Sequence, residues 1–205
     1  DGAVGPLDDN QREVATILRD NAIRLQQLIE NLLSYSAWQS SASSVEATRF
    51  RLELLVGTVV DSQRLARAAR NVALDLQVAE LQLVADRAKL KLVLDNLLSN
   101  ALKFTPSGGT IHLHAYQAGR TIVIDVADTG PGIPREERDE VFQAFCSGQT
   151  PQGGTLKGTG IGLSVVREFV QAHGGTIEIV DGQYAGAHFR IRLPAMIRKE
   201  SANAA

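Results

Sequence analysis

Three glycines alternate in Gly158-Thr159-Gly160-Ile161-Gly162-Leu163, and an apolar, helix-compatible run follows through Val170. A backbone this bare can approach an anion closely. A helix starting there aims free N–H groups and a positive dipole end at it. That is chemistry for phosphate, although alternating glycines also build plain turns. Three further stretches decide between the two. Asn96-Leu97-Leu98-Ser99-Asn100-Ala101-Leu102-Lys103-Phe104 carries an amide carbonyl and, one turn on, a mobile cation suited to a phosphate. Asp128-Thr129-Gly130-Pro131-Gly132-Ile133 joins a carboxylate to two more glycines, and Phe142 and Phe145 follow it.

The elements that must position these residues can be read in order. Residues 1–10 form a loop ending in a helix N-cap, and the run to about Trp38 contains no glycine or proline. Val14, Leu18, Asn21, Leu25, Leu28, Leu32 and Tyr35 are spaced alternately four and three apart, which is a heptad seam. Ile17, Ile29 and Leu33 widen that face towards what a helical bundle buries. A helix packed on its own domain is the plainer alternative. Ser/Ala-rich residues 41–45 read as a linker, and 46–197 as one domain with a frayed tail over 198–205.

Within that domain, Phe50–Leu52 reads as a short strand and Leu54–Arg70 as an amphipathic helix with Leu55, Val59, Leu65 and Ala69 inward. Val72–Val78 and Leu81–Val84 read as strands. Asp86 is the expected N-cap of a helix to about Phe104, with Leu90, Val93, Leu94, Leu97, Leu98 and Ala101 on its core side. Strands are expected at Thr110–Tyr116, Thr121–Ala127, Thr176–Asp181 and Ala187–Leu193, with a short helix from Arg135 to about Phe142. Cys146–Lys157, rich in glycine, has the composition of a lid beside a binding site.

Composition narrows the function. The chain has 205 residues, 44% apolar and 21% charged, with a formal charge of −2, and no basic stripe suggests a nucleic-acid partner. A lone cysteine, Cys146, rules out an internal disulfide and fits a reducing compartment. No apolar run approaches the roughly 18–20 residues of a membrane span. No signal peptide opens the chain, so any membrane link is expected outside these residues.

Taken together and in this order, the four motifs resemble the N, G1, F and G2 boxes of the sensor histidine kinases. The resemblance covers about residues 46–195. It implies the fold shared with gyrase-type and heat-shock ATPases: an α+β, two-layer α/β sandwich with a mixed sheet, here preceded by a long bundle-type helix. It implies ATP and Mg²⁺ as cofactors. Asn100 is then the metal ligand, since a hard cation takes oxygen donors. Phe104 lines the nucleotide pocket or packs in the core. Asp128 selects adenine by accepting a hydrogen bond from its amino group. Gly130, Gly132 and Ile133 curve under the base, while Phe142 and Phe145 anchor the lid. Lys157 and the backbone of Gly158, Thr159, Gly160, Ile161, Gly162 and Leu163 form the phosphate wall. Hydrolysing relatives carry a water-activating glutamate where this chain has Asn96, which is no general base. The site is therefore expected to hold ATP for transfer.

The residues 28–36 resemble the end of the second helix of the family's dimerisation hairpin, so 1–40 is expected to be part of a homodimer interface. A histidine kinase also needs an acceptor histidine, usually followed by an acidic residue. His112, His114, His173 and His188 do not fit, being on strands or at a helix end. No catalytic residue is therefore assigned, and the chain is expected to begin after the acceptor helix. The resemblance further implies a response-regulator partner and a cytoplasmic location beneath an inner-membrane sensor. The alternative is an ATP-binding regulatory module that transfers nothing.

Overall fold

The computed structural model describes residues 8–19, 21–22, 45–144 and 160–195. The chain divides into two units, 1–41 and 42–205. In the first, residues 9–19 are helical. Asp8 caps this helix: its Oδ1 accepts from Gln11 N–H at 2.8 Å, and Gln11 Oε1 accepts in return from Asp8 N–H at 3.1 Å. Val14 and Leu18 of the seam, and Ile17 beside it, are exposed. The seam from Leu25 on lies outside the described residues.

The second unit begins with β1 (Thr48–Arg51), α1 (Leu52–Ser62), α2 (Arg64–Ala69), β2 (Ala73–Val78) and β3 (Gln82–Ala85). It continues through α3 (Arg87–Phe104), β4 (Thr110–Ala118), β5 (Thr121–Asp128), α4 (Gly162–Ala172), β6 (Thr176–Ile179) and β7 (His188–Pro194). β1 and β3 form a two-stranded antiparallel sheet. The main sheet has the order β2-β4-β5-β7-β6, parallel only between β2 and β4. This is the mixed sheet and α+β class that the motifs imply. Helix α3 packs against α1, α4 and β5, and α4 packs on β6 and β7. Ile111, Leu113, Ile122, Ile124, Val126, Ile191 and Leu193 alternate along the strands and are buried, so one sheet face carries the core.

Helix α3 follows directly from its sequence. Asp86 accepts from Ala88 N–H and Lys89 N–H, both at 3.1 Å, and so satisfies two orphan donors. Leu90, Val93, Leu94, Leu97, Leu98 and Ala101 are all buried. The helix stops because Pro106 forces Thr105 into an extended conformation (φ −69°, ψ 127°).

Three expectations need correction. The helix expected over Leu54–Arg70 is two helices, broken at Gln63, whose N–H bonds to Val60 O. Past that break α2 buries nothing: Leu65 is 80% exposed and Ala69 is also exposed. Leu52 is the fully buried first residue of α1 and lies outside β1. The helix expected from Arg135 is two single 3₁₀ turns, Arg135–Glu137 and Glu140–Phe142.

Candidate nucleotide site

The central carboxylate stands at the end of β5. Asp128 is only 3% exposed. Its Oδ1 accepts from Gly130 N–H at 2.8 Å and from Ala187 N–H at 3.3 Å; among the described residues, Oδ2 has no hydrogen-bond donor. Burial pushes this carboxyl above its ordinary range, against the two backbone donors. Among the described residues no cation pairs with it, so it is a desolvated acceptor with a lone pair to spare.

Glycines make that seat possible. A Cβ at Gly130 would stand 2.7 Å from Phe104 O, at the end of α3. A Cβ at Gly186 would stand 2.2 Å from Asp128 Oδ1 and 2.5 Å from Gly130 N. Gly132 has φ +76° and runs past Gly186. The two strand ends are tied by Asp128 N–H to Ala187 O and Gly186 N–H to Asp128 O, each 3.0 Å. Gly186 escaped the sequence reading because a lone glycine before a strand has the local signal of a turn. Its close approach is tertiary.

The half-buried Ile133 sits on a stapled loop. Arg138 Nε–H donates to Ile133 O at 3.2 Å, and its Nη2 pairs with Asp181 Oδ1 at 2.6 Å. Arg135 pairs with the other oxygen of Asp181 at 3.1 Å. Phe142 packs edge-on against Phe189, with ring centroids 6.1 Å apart, and lies under the Arg167 guanidinium.

Asn96, Asn100 and Lys103 follow one another at i, i+4 and i+7, so they share one face of α3. Asn96 Nδ2–H donates to Leu92 O at 2.8 Å. This turns its Oδ1 towards the first residue of α4, where a Cβ at Gly162 would stand 2.6 Å away. Asn100 is half-buried. Lys103 Nζ lies 4.8 Å from the centroid of the Phe104 ring, and that ring is 39% exposed. Phe104 is therefore a surface ring, and its carbonyl rather than its side chain meets Gly130.

A further residue fixes this end of the helix. The Arg70 guanidinium donates to Leu102 O, to Lys103 O at 3.1 Å and to Thr105 O at 3.3 Å, closing the last carbonyls of α3. Sequence gave no warning of it, since Arg70 lies 32 residues from Leu102.

Gly160 has φ +70°, a left-handed conformation that glycine adopts freely, and turns the chain into α4. Ile161 is buried, Leu163 half-buried. The N-cap residue Ile161 makes no side-chain cap hydrogen bond, so among the described residues the first N–H groups of this helix have no side-chain cap. Phe145, Lys157, Gly158, Thr159 and the Cys146–Lys157 lid lie outside the described residues.

The four histidines are accounted for inside the domain. His173 is buried, donates from Nδ1 to Phe169 O at 2.6 Å and accepts at Nε2 from Asp86 N–H at 3.0 Å. It locks the end of α4 to the start of α3 in its neutral form, and burial lowers its pKa accordingly. His188 Nε2 meets Asp125 at 2.8 Å. His112 and His114 both meet Asp75.

A carboxylate seated by glycines, an amide-bearing helix face and a glycine-led helix stand together on a domain of the two-layer α/β sandwich class. Residues 85–197 match the family model of the histidine kinase-, DNA gyrase B-, and HSP90-like ATPases, and the chain belongs to that family. Its relatives narrow the branch to the sensor histidine kinases. Sensor histidine kinase GlrK of Escherichia coli (strain K12) is 38% identical over 195 residues, spanning 95% of this chain and 41% of GlrK. Histidine protein kinase DivJ of Caulobacter vibrioides is 35% identical over 94% of this chain and 32% of DivJ. This chain thus spans about two fifths or less of these relatives' length. Among solved structures, the catalytic domain of histidine kinase ThkA superposes with a TM-score of 0.66 at 28% identity, covering 74% of this chain and 97% of that domain. Full-length ShkA in complex with AMPPNP gives 0.74 at 26% identity, over 92% of this chain and 40% of ShkA. ThkA in complex with the response regulator protein TrrA gives 0.72 at 26% identity, over 92% of this chain and 53% of that chain.

Proposed function

We propose that this chain is the ATP-binding catalytic portion of a two-component sensor histidine kinase. It transfers the γ-phosphoryl group of ATP to a histidine on a helix outside these residues, for passage to an aspartate of a response regulator. The observation that carries the reading is the seat of Asp128: a buried carboxylate with one oxygen committed to backbone N–H groups and the other open.

In this reading Asp128 Oδ2 accepts from the adenine amino group, and Gly130, Gly132 and Ile133 pass under the base. Guanine has no donor at that place, so ATP is selected over GTP. Glycine at 130, 162 and 186 lets Phe104 O, Asn96 Oδ1 and Asp128 Oδ1 close in around the site, where a Cβ would meet them, and this fixes the carboxylate and the amide that would face a nucleotide. Asn100 supplies the oxygen for Mg²⁺, and Lys103, Lys157 and the N–H groups of 158–163 hold the phosphates. ATP with its metal supplies the activated phosphoryl group and neutralises its charge. Asn96, held by Leu92 O, cannot take a proton from water, so transfer to the incoming imidazole outcompetes hydrolysis. The helical segment within 1–40 belongs to a dimerisation hairpin, and the domain works in the bacterial cytoplasm beneath a membrane-anchored sensor.

The test is a two-helix hairpin carrying an acceptor histidine, supplied in trans with γ-labelled ATP and Mg²⁺. Acid-labile label on that histidine, dependent on this chain, is the expected result. Nucleotide binding without label on a correctly formed hairpin would support the second reading, a regulatory ATP-binding module.

A further inference from the structure

The face of the main sheet turned away from the helices is polar. The parallel register of β2 and β4 pairs Asp75 with His112 and Gln77 with His114, so these four side chains share that face. Asp75 Oδ2 lies 2.9 Å from His112 Nδ1 and 2.8 Å from His114 Nε2. One carboxylate oxygen thus faces two imidazole nitrogens, and the three donor atoms lie within 4.8 Å of one another.

We propose that Asp75, His112 and His114 form a binding site for a divalent cation of the zinc class, separate from the nucleotide site. Two imidazoles and one carboxylate are the donors of three-residue zinc sites that leave a fourth position for water. Nitrogen donors disfavour Mg²⁺, which takes oxygen. Metal–ligand bonds of roughly 2.0–2.2 Å in tetrahedral array separate the donors by about 3.3 Å. Binding would lengthen the two Asp75–imidazole distances by about half an ångström and bring the two imidazole nitrogens, which lie within 4.8 Å of each other, to the same separation.

The surroundings hold the ligands as an outer shell does. Tyr184 Oη lies 3.3 Å from His114 Nδ1, the nitrogen opposite the ligating one, and can accept a hydrogen bond from Nδ1–H when Nε2 binds metal. The Tyr184 ring covers the His112 imidazole, with centroids 4.5 Å apart. Gln77 Nε2–H donates to the second oxygen of Asp75 at 3.1 Å. His114, Gln77 and Tyr184 also line a cavity of about 480 Å³ on this face. The ligands remain reachable, with side-chain exposures of 19–21% for the histidines and 37% for Asp75. Because β2 is an edge strand, the bound ion would clamp it to β4.

The test uses the whole chain, tag-free, chelator-treated and without nucleotide. Calorimetry with Zn²⁺ should give one ion per chain, and Co²⁺ should develop the visible bands of tetrahedral coordination. Removing a ligand in His112→Ala or Asp75→Ala should weaken binding at least ~100-fold, and Tyr184→Phe, which acts through His114, about tenfold. ATP affinity should stay unchanged in all of them. A second readout avoids variants altogether: in the NMR spectrum, Zn²⁺ should shift the ring resonances of His112 and His114 stoichiometrically and leave His173 and His188 in place. No uptake of Zn²⁺, equal affinity in the His112→Ala/His114→Ala double variant, or shifts confined to the other histidines would overturn the site and leave a hydrogen-bonded polar face.

Discussion

Asp125 and Asp128 lie three residues apart on β5, so they face opposite sides of the sheet, and both are almost wholly buried. Asp125 is answered by charge. Arg190 grips it with two bonds of 2.7 and 3.1 Å, and His188 adds a third at 2.8 Å. Burial pushes this carboxyl up, yet His188 and Arg190 together hold it below its ordinary value. Asp128 has two backbone N–H donors on one oxygen, and burial prevails. Among the described residues, cations answer the carboxylate that fastens β5 to β7 and none answers the one at the candidate nucleotide site. A saturated aspartate stabilises; an under-satisfied one in the same strand is poised to accept from a ligand.

The contrast can be broken from either side. Asp125→Ala strands the buried His188 and the Arg190 guanidinium, and should destabilise the chain by about 3 kcal/mol in urea unfolding. Under folding conditions it should leave ATP affinity within about twofold. If stability holds and ATP binding is lost instead, the two aspartates have been assigned the wrong way round.

Gly186→Ala attacks the other aspartate through its seat. The added methyl meets Asp128 Oδ1 and two backbone atoms, so a loss of about 1–3 kcal/mol is expected, together with at least tenfold weaker ATP binding. Gly57→Ala is the control. Nothing lies within 4 Å of that Cβ on α1, and alanine there should stabilise the helix by about 0.5–1 kcal/mol. Equal effects at the two glycines would mean that the close approach at Gly186 is relieved at no cost.

Acid titration sharpens the comparison with a smaller effect. Asp128, raised in the fold, makes stability fall as pH rises from 3.8 to its folded value. Asp125, lowered in the fold, makes stability rise with pH below 3.8. Asp128→Asn and Asp125→Asn should therefore change the slope of stability against pH in opposite directions, each in its own window. His173, lowered by burial, adds a loss of stability as pH drops below 6.5, which His173→Gln should reduce.

The sequence made one layer of this architecture readable and hid another. Helix α3 was legible to its cap and core residues, because Asp86, the apolar spacing and Pro106 are local signals that agree. The glycine motifs announced where backbone must come close. The run from Leu54 to Arg70 misled because apolar spacing continues past Gln63, although the chain turns there and Leu65 faces solvent. What stayed hidden was what only register and packing create: Gly186 against Asp128, Arg70 over the end of α3, and Asp75 beside two histidines on a neighbouring strand. Alternation placed His112 and His114 on one face, but only the parallel pairing of β2 with β4 brings Asp75 to them.

The most direct test of the central claim is the affinity of the wild-type chain and of Asp128→Asn for ATP and GTP, by calorimetry with Mg²⁺. The wild type should bind ATP well above GTP. Asp128→Asn should lose about 1.5–3 kcal/mol of ATP binding, roughly 10–150-fold, with stability at pH 7 unchanged or slightly higher because a desolvated charge has gone. Unchanged ATP affinity in a folded Asp128→Asn, or equal binding of ATP and GTP by the wild type, would contradict the base-recognition role on which the nucleotide site rests.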